Sequence, residues 1–107
     1  MHADDLEEAR LAVADRLSDL EAGLAQLSTN DLKQQVHSLK GLAAAYGLIV
    51  IESLCHGLEQ RLASGRDDAA VLAYIDRMND AAEDDRMDDA SVIPALEAEI
   101  ARHLHEV

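Results

Sequence analysis

The sequence predicts an all-α chain, folded as an antiparallel up-and-down four-helix bundle with an additional helix. Three features carry this reading: long stretches without helix breakers, apolar residues recurring with a helical period, and short polar connections between the periodic segments. The 107 residues include one proline, Pro94, and five glycines. Hydrophobic residues make up 49% of the chain but aromatics only 2%. The core must therefore be built from Leu, Ile, Val and Ala, which pack well between helices. This length suits one helical-bundle domain over residues 1–107.

The first periodic segment runs from Asp4 to Leu27, with Val13, Leu17, Leu20, Leu24 and Leu27 on one stripe. Ser28, Thr29 and Asn30 are successive N-cap candidates, so a second helix starts there. Its stripe is Leu32, Val36, Leu39, Ala43 and Tyr46, and Gly47 reads as a left-handed cap or at least as the corner. A third helix spans Leu48 to Ala63, turning Leu48, Ile51, Cys55, Leu58 and Leu62 inward, and Ser64-Gly65 closes it. The fourth, Asp67 to Ala82, uses Val71, Leu72, Ile75 and Met78. Glu83 to Asp89 is too charged for a core and reads as a solvated connection. Ser91 is expected to cap a last helix, with Pro94 in its first turn and Ile93, Leu96, Ile100 and Leu104 inward.

The net charge of −13 disfavours nucleic acid and anionic membrane surfaces, both of which require clustered Lys and Arg. The acidic start Met1-His2-Ala3-Asp4-Asp5, with no long apolar run after it, implies neither a secretory leader nor a membrane span. With a single cysteine, Cys55, no internal disulfide forms. A cytoplasmic setting follows as the expectation. The sequence has no glycine-rich phosphate loop, paired-cysteine spacing or dinucleotide fingerprint, so it offers no recognisable nucleotide site.

His37 breaks the pattern of the second helix. It lies roughly 140° from the centre of the apolar stripe and so faces outward. Its neighbours on that face are Lys33, Lys40, Gly41 and Ala44. Lys33 and Lys40 are the only lysines of the chain, and both bring positive charge toward the imidazole. A glycine inside a helix costs about 1 kcal/mol relative to alanine. Gly41 therefore serves either a close helix–helix contact or the close approach of a partner. Measured from a corner near residues 47 and 48, His37 and Glu59 are each roughly 16 Å along antiparallel helices. A Glu59 carboxylate reaching across would accept from Nδ1–H, fix the tautomer and leave a lone pair on Nε2. Such an imidazole is a nucleophile at neutral pH.

The run His37-Ser38-Leu39-Lys40-Gly41-Leu42-Ala43-Ala44-Ala45-Tyr46-Gly47, continued through Leu54-Cys55 to Leu58-Glu59, resembles the signature of histidine-containing phosphotransfer (HPt) domains. The matching positions are His37, Lys40, Gly41, Gly47 and Glu59, within about a quarter of the chain. The resemblance implies that His37 takes a phosphoryl group on Nε2, that Lys40 positions it and that Glu59 holds the ring. It also implies that Gly41 admits the partner, with Lys33 and Ala44 beside it on the same face. That partner would be the receiver domain of a response regulator, supplying the aspartate and the Mg²⁺. An upstream histidine kinase or hybrid kinase feeds the relay, as in bacterial-type two-component signalling. The chain itself would be a carrier rather than an enzyme, without a cofactor of its own, and monomeric. Leu42 departs from the family, which often has a small residue there.

Two rivals stand beside this reading. Glu52, His56 and Glu59, at i, i+4 and i+7 on the third helix with His37 opposite, are candidate metal ligands, although the Glu-x-x-His spacing that di-metal bundles draw from each of two helices does not occur. A helical adaptor that binds partners without carrying phosphate is the other alternative.

Overall fold

In a computed structural model the chain forms α1 (Ala3–Gly23), α2 (Thr29–Ala45), α3 (Ile49–Ser64), α4 (Asp68–Glu83) and α5 (Ile93–Glu106). Single 3₁₀ turns at Leu24–Gln26 and Ala90–Val92 precede α2 and α5. The structure describes residues 3–106 and the side chains of 4–105; Met1 and His2, part of the acidic start, lie outside them. Among the described residues there is no strand. Helices α1 to α4 pack in a ring, each against its chain neighbour and α1 against α4, while α5 lies on α4 and touches α3. The expected four-helix bundle with an additional helix is what forms.

Local chemistry sets the helix ends. Ser28 Oγ accepts from the Asp31 amide at 3.1 Å, which starts α2. At its far end Gly47 adopts φ 69°, in the left-handed region. The Gly47 amide donates to Ala44 O and the Leu48 amide to Ala43 O, the pair of bonds that closes a Schellman turn. This turn sets the register of α3 against α2. Asp67 caps α4 in the manner of Ser28, its carboxylate accepting from the Ala69 amide at 3.1 Å.

The core is built mainly from aliphatic side chains, with Cys55, Met78 and Met87 among them. Val13, Leu17, Leu20, Leu32, Val36, Leu39, Leu48, Ile51, Leu54, Leu58, Ile75 and Met78 are fully buried, and no polar side chain joins them among the described residues. The predicted stripes of α2 and α3 face this core, with Tyr46 half-buried at its edge. On α5 only Ile100 is fully buried, because that helix packs against one side of the ring rather than within it.

Four details differ from the sequence reading. First, α1 ends at Gly23 instead of Leu27, because Arg66 from the α3–α4 connection donates to Leu24 O and Leu27 O at 2.8 and 2.6 Å. A side chain thus satisfies the carbonyls that another helical turn would have used. Second, Val71, Ile75 and Met78 of α4 are buried as expected, but Leu72 is 37% exposed and the small Ala70 and Ala73 are buried beside them. Third, the charged run Glu83 to Asp89 contains a core residue, Met87, which is 3% exposed. The Met87 carbonyl accepts from the Val50 amide at 2.9 Å, satisfying a free donor in the first turn of α3. Fourth, Asp89 rather than Ser91 caps the approach to α5, accepting from the Ser91 amide at 3.0 Å and the Ser91 hydroxyl at 2.6 Å.

Met87 therefore acts as a plug. Met87→Ala should lower the unfolding free energy by about 2–3 kcal/mol, as deletion of a buried side chain does. Glu83→Ala, four residues earlier and exposed, should stay within about 0.5 kcal/mol of the parent. Urea denaturation of both variants measures the difference.

Candidate functional site

His37 stands on the outer face of α2 with its side chain 74% exposed. The stripe of Leu32, Val36, Leu39 and Ala43 is buried on the opposite side and forces this orientation. The Gly47 turn brings α3 alongside, and Glu59 reaches across from it. Glu59 Oε2 lies 3.3 Å from His37 Nδ1. A carboxylate only accepts, so the proton of the neutral ring belongs on Nδ1 and the lone pair on Nε2.

The other oxygen of the same carboxylate serves Lys40. Its Nζ lies 2.6 Å from Glu59 Oε1, one turn along α2 from His37. Oε1 is sealed from water, so the lysine is its partner in a close ion pair rather than an ideally aligned hydrogen bond. Lys40 is thus drawn toward α3 by the carboxylate that orients the ring. Partial burial pushes the Glu59 carboxyl up, but the Lys40 ammonium and the His37 ring more than offset it. The net result is a carboxyl held below its ordinary value. The ionised bridge therefore contributes to stability above that ordinary value and is lost as pH falls through the lowered one.

The remaining residues of the face divide into two groups. A Cβ built on Gly41 meets nothing within 4 Å, so no neighbouring helix requires glycine there. This removes the helix–helix explanation and leaves open space beside His37. Ala44 is exposed and continues this low ledge along α2. Leu42 is half-buried against the core and takes no part in the ledge. Lys33 is exposed and makes no ion pair among the described residues, so its charge acts only through space.

Beneath the site lies Cys55. Burial, followed by the charge of Glu59 and opposed by Lys40, pushes its thiol up to about 12. At neutral pH it is a buried apolar group near the bridge, 3.8 Å from Met78 Sδ, and not a nucleophile. Among the described residues, Glu52, His56 and Glu59 do not converge as a metal-binding group. His56 is exposed, and Glu59 is already engaged by His37 and Lys40.

The sequence reading missed one contact at the site. Arg16 on α1 donates from Nη1 to Ser38 Oγ at 2.7 Å, next to His37 in the chain. Its only sequence signal was a basic residue at an outward position of α1.

A family model for the Hpt domain matches residues 4–106 of the chain. No curated protein and no solved structure gives a match.

The shared carboxylate makes a direct prediction. In a carbon-detected NMR titration, Glu59 should titrate below the ordinary value of a glutamate carboxyl. Lys40→Ala should move its midpoint upward, because burial then opposes only the imidazole. An unchanged midpoint would mean that the lysine does not hold the carboxylate in solution.

Proposed function

The chain belongs to the Hpt domain family, whose members pass phosphoryl groups through a histidine in phosphorelays, and we propose that His37 is the residue that carries the group here. The observation that supports this most strongly is the exposed ring backed by a carboxylate, with Nδ1 3.3 Å from Glu59 and Nε2 left for attack. The partner that fits is the receiver domain of a response regulator carrying an aspartyl phosphate. An upstream histidine kinase or hybrid kinase loads the relay.

In the transfer step Nε2 attacks the phosphorus in line. The N–P bond forms as the P–O bond to the receiver aspartate breaks, and that aspartate leaves as a carboxylate. The Nδ1 proton stays in place, so the phosphorylated ring gains positive charge, which the Glu59 carboxylate offsets. In the reverse direction the imidazole leaves as a neutral group. Phosphoryl transfer through a loose transition state depends on alignment and charge neutralisation, which a rigid helix pair and a nearby lysine supply. Lys40 is assigned to hold the phosphoryl oxygens, exchanging part of its pairing with Glu59 for them. The Mg²⁺ that neutralises charge on the other side belongs to the receiver.

Gly41, Ala44 and Lys33 form the landing surface in this account, with Gly41 letting the receiver backbone come close. The domain acts as a monomeric carrier over residues 1–107, inert toward ATP alone. No described helix is long and apolar enough to cross a membrane. The cytoplasmic setting proposed here rests on the partners of the relay.

Incubation with phosphorylated receiver domains tests the reading. The wild-type chain should acquire an acid-labile phosphoryl group, and His37→Gln should abolish it while far-UV circular dichroism stays unchanged. Persistent labelling of that variant would remove His37 from the role. Lys40→Ala should slow transfer about tenfold, the equivalent of one charge-assisted contact. Gly41→Leu should leave stability unchanged or raise it by up to about 1 kcal/mol, because the helix gains propensity. The same change should weaken receiver binding at least tenfold, and equal binding would refute the close-approach role.

A further inference from the structure

Among the described residues four of the seven arginines pair with carboxylates, whereas Arg16, Arg61 and Arg102 do not, and of these three Arg16 alone is held by another side chain. Arg10 binds Asp85 and Asp88, Arg66 binds Asp68, Arg77 binds Asp80 and Glu99, and Arg86 binds Asp89. Arg16 has no carboxylate within ion-pair distance among the described residues, although 22 of the 107 residues are Asp or Glu. Its one partner is the neutral hydroxyl of Ser38 at 2.7 Å. A guanidinium presents five N–H donors, so this contact leaves the charge and most of the donors unspent.

The position of Arg16 gives that charge a use. Ser38 follows His37 directly, and its side chain sits on the flank of α2 that faces α1, whereas Lys40 and Glu59 occupy the α3 flank. Arg16 thus lies across the face from Lys40, with the imidazole between the two flanks. It also borders an open groove of about 410 Å³ between α1 and α2, whose floor includes Leu20 and Leu27. Asp19 lines the same groove without coming within ion-pair distance. The Ser38 contact limits the rotamer freedom of Arg16 before any partner arrives, which reduces the entropy lost on docking.

We propose that Arg16 is a partner-recognition residue, receiving a carboxylate from the rim of the docked receiver on the α1 side of His37. This rests on the phosphocarrier reading above. A receiver that holds Mg²⁺ and an aspartyl phosphate needs oxygen ligands for the metal, so acidic side chains surround its active site. A chain of net charge −13 repels such a surface unless cations stand where the two meet. Arg16 supplies that charge on the flank without a lysine, and it acts on docking rather than on the transfer step.

Single-turnover transfer from a phosphorylated receiver, over a range of receiver concentrations, tests this. Phosphoramidate, a small phosphoryl donor, provides a parallel arm that needs no docking. Arg16→Gln should raise the half-saturating receiver concentration about fivefold, the usual size of one exposed ion pair. Its maximal rate and its phosphoramidate labelling should match wild type, and Arg16→Lys should recover most of the lost affinity. Unchanged half-saturation in Arg16→Gln would overturn the proposal. So would slower phosphoramidate labelling, which would place Arg16 in the chemistry or in the support of the ring. Failure of the wild-type chain to accept phosphate from any receiver while phosphoramidate still labels it would overturn the relay reading itself, and this proposal with it.

Discussion

The Glu59 carboxylate ties α3 to α2 by two contacts at once, holding His37 through one oxygen and Lys40 through the other. Everything chemically distinctive about the surface depends on this bridge. Without it the ring would rotate freely on an exposed helix, and neither nitrogen would be singled out. The bridge in turn depends on register. The left-handed Gly47 and the two bonds of its turn set where α3 begins, and therefore which residue of α3 stands level with His37. A shift of one residue along α3 would rotate the carboxylate by about 100° and carry it away from the ring.

The rest of the bundle makes the bridge rigid while leaving the ring exposed. A core in which no polar side chain is buried among the described residues gives the helices one well-packed arrangement, with His37 on the outer face and Glu59 at the edge. Cys55 beneath the bridge is an apolar floor, and the partial burial it helps to create raises the cost of an unpaired Glu59 carboxylate. An exposed imidazole held in one tautomer, with Lys40 one turn away, is what the bundle brings to the transfer proposed above, a step that depends on alignment and charge neutralisation.

Much of this was legible in the sequence, because it follows from periodicity and local chemistry. The outward position of His37, the Ser28 cap, the Gly47 corner and the reach of Glu59 are consequences of 3.6-residue spacing and of residues that terminate helices. Three of the misses share one cause, a contact between groups distant in sequence, whereas the cap shifted from Ser91 to Asp89 is a local choice between neighbouring candidates. Arg66 closes α1 from across the bundle, Met87 plugs the first turn of α3 from inside a charged run, and Arg16 meets Ser38 from the neighbouring helix. No local pattern marks such contacts. Leu72 shows the limit of the stripe itself, since the small Ala70 and Ala73 lie closer to the core than a larger residue between them. Gly41 was ambiguous from sequence, and only the empty space around it decided between the two explanations.

The central claim concerns which nitrogen of His37 carries the proton and which is free. Long-range ¹H–¹⁵N correlation spectroscopy of the imidazole above pH 8, before and after phosphorylation, reads this directly. The account predicts a protonated Nδ1 and a bare Nε2 in the free domain, with phosphorus bonded to Nε2 afterwards. A ring protonated on Nε2, or phosphorus found on Nδ1, would contradict it.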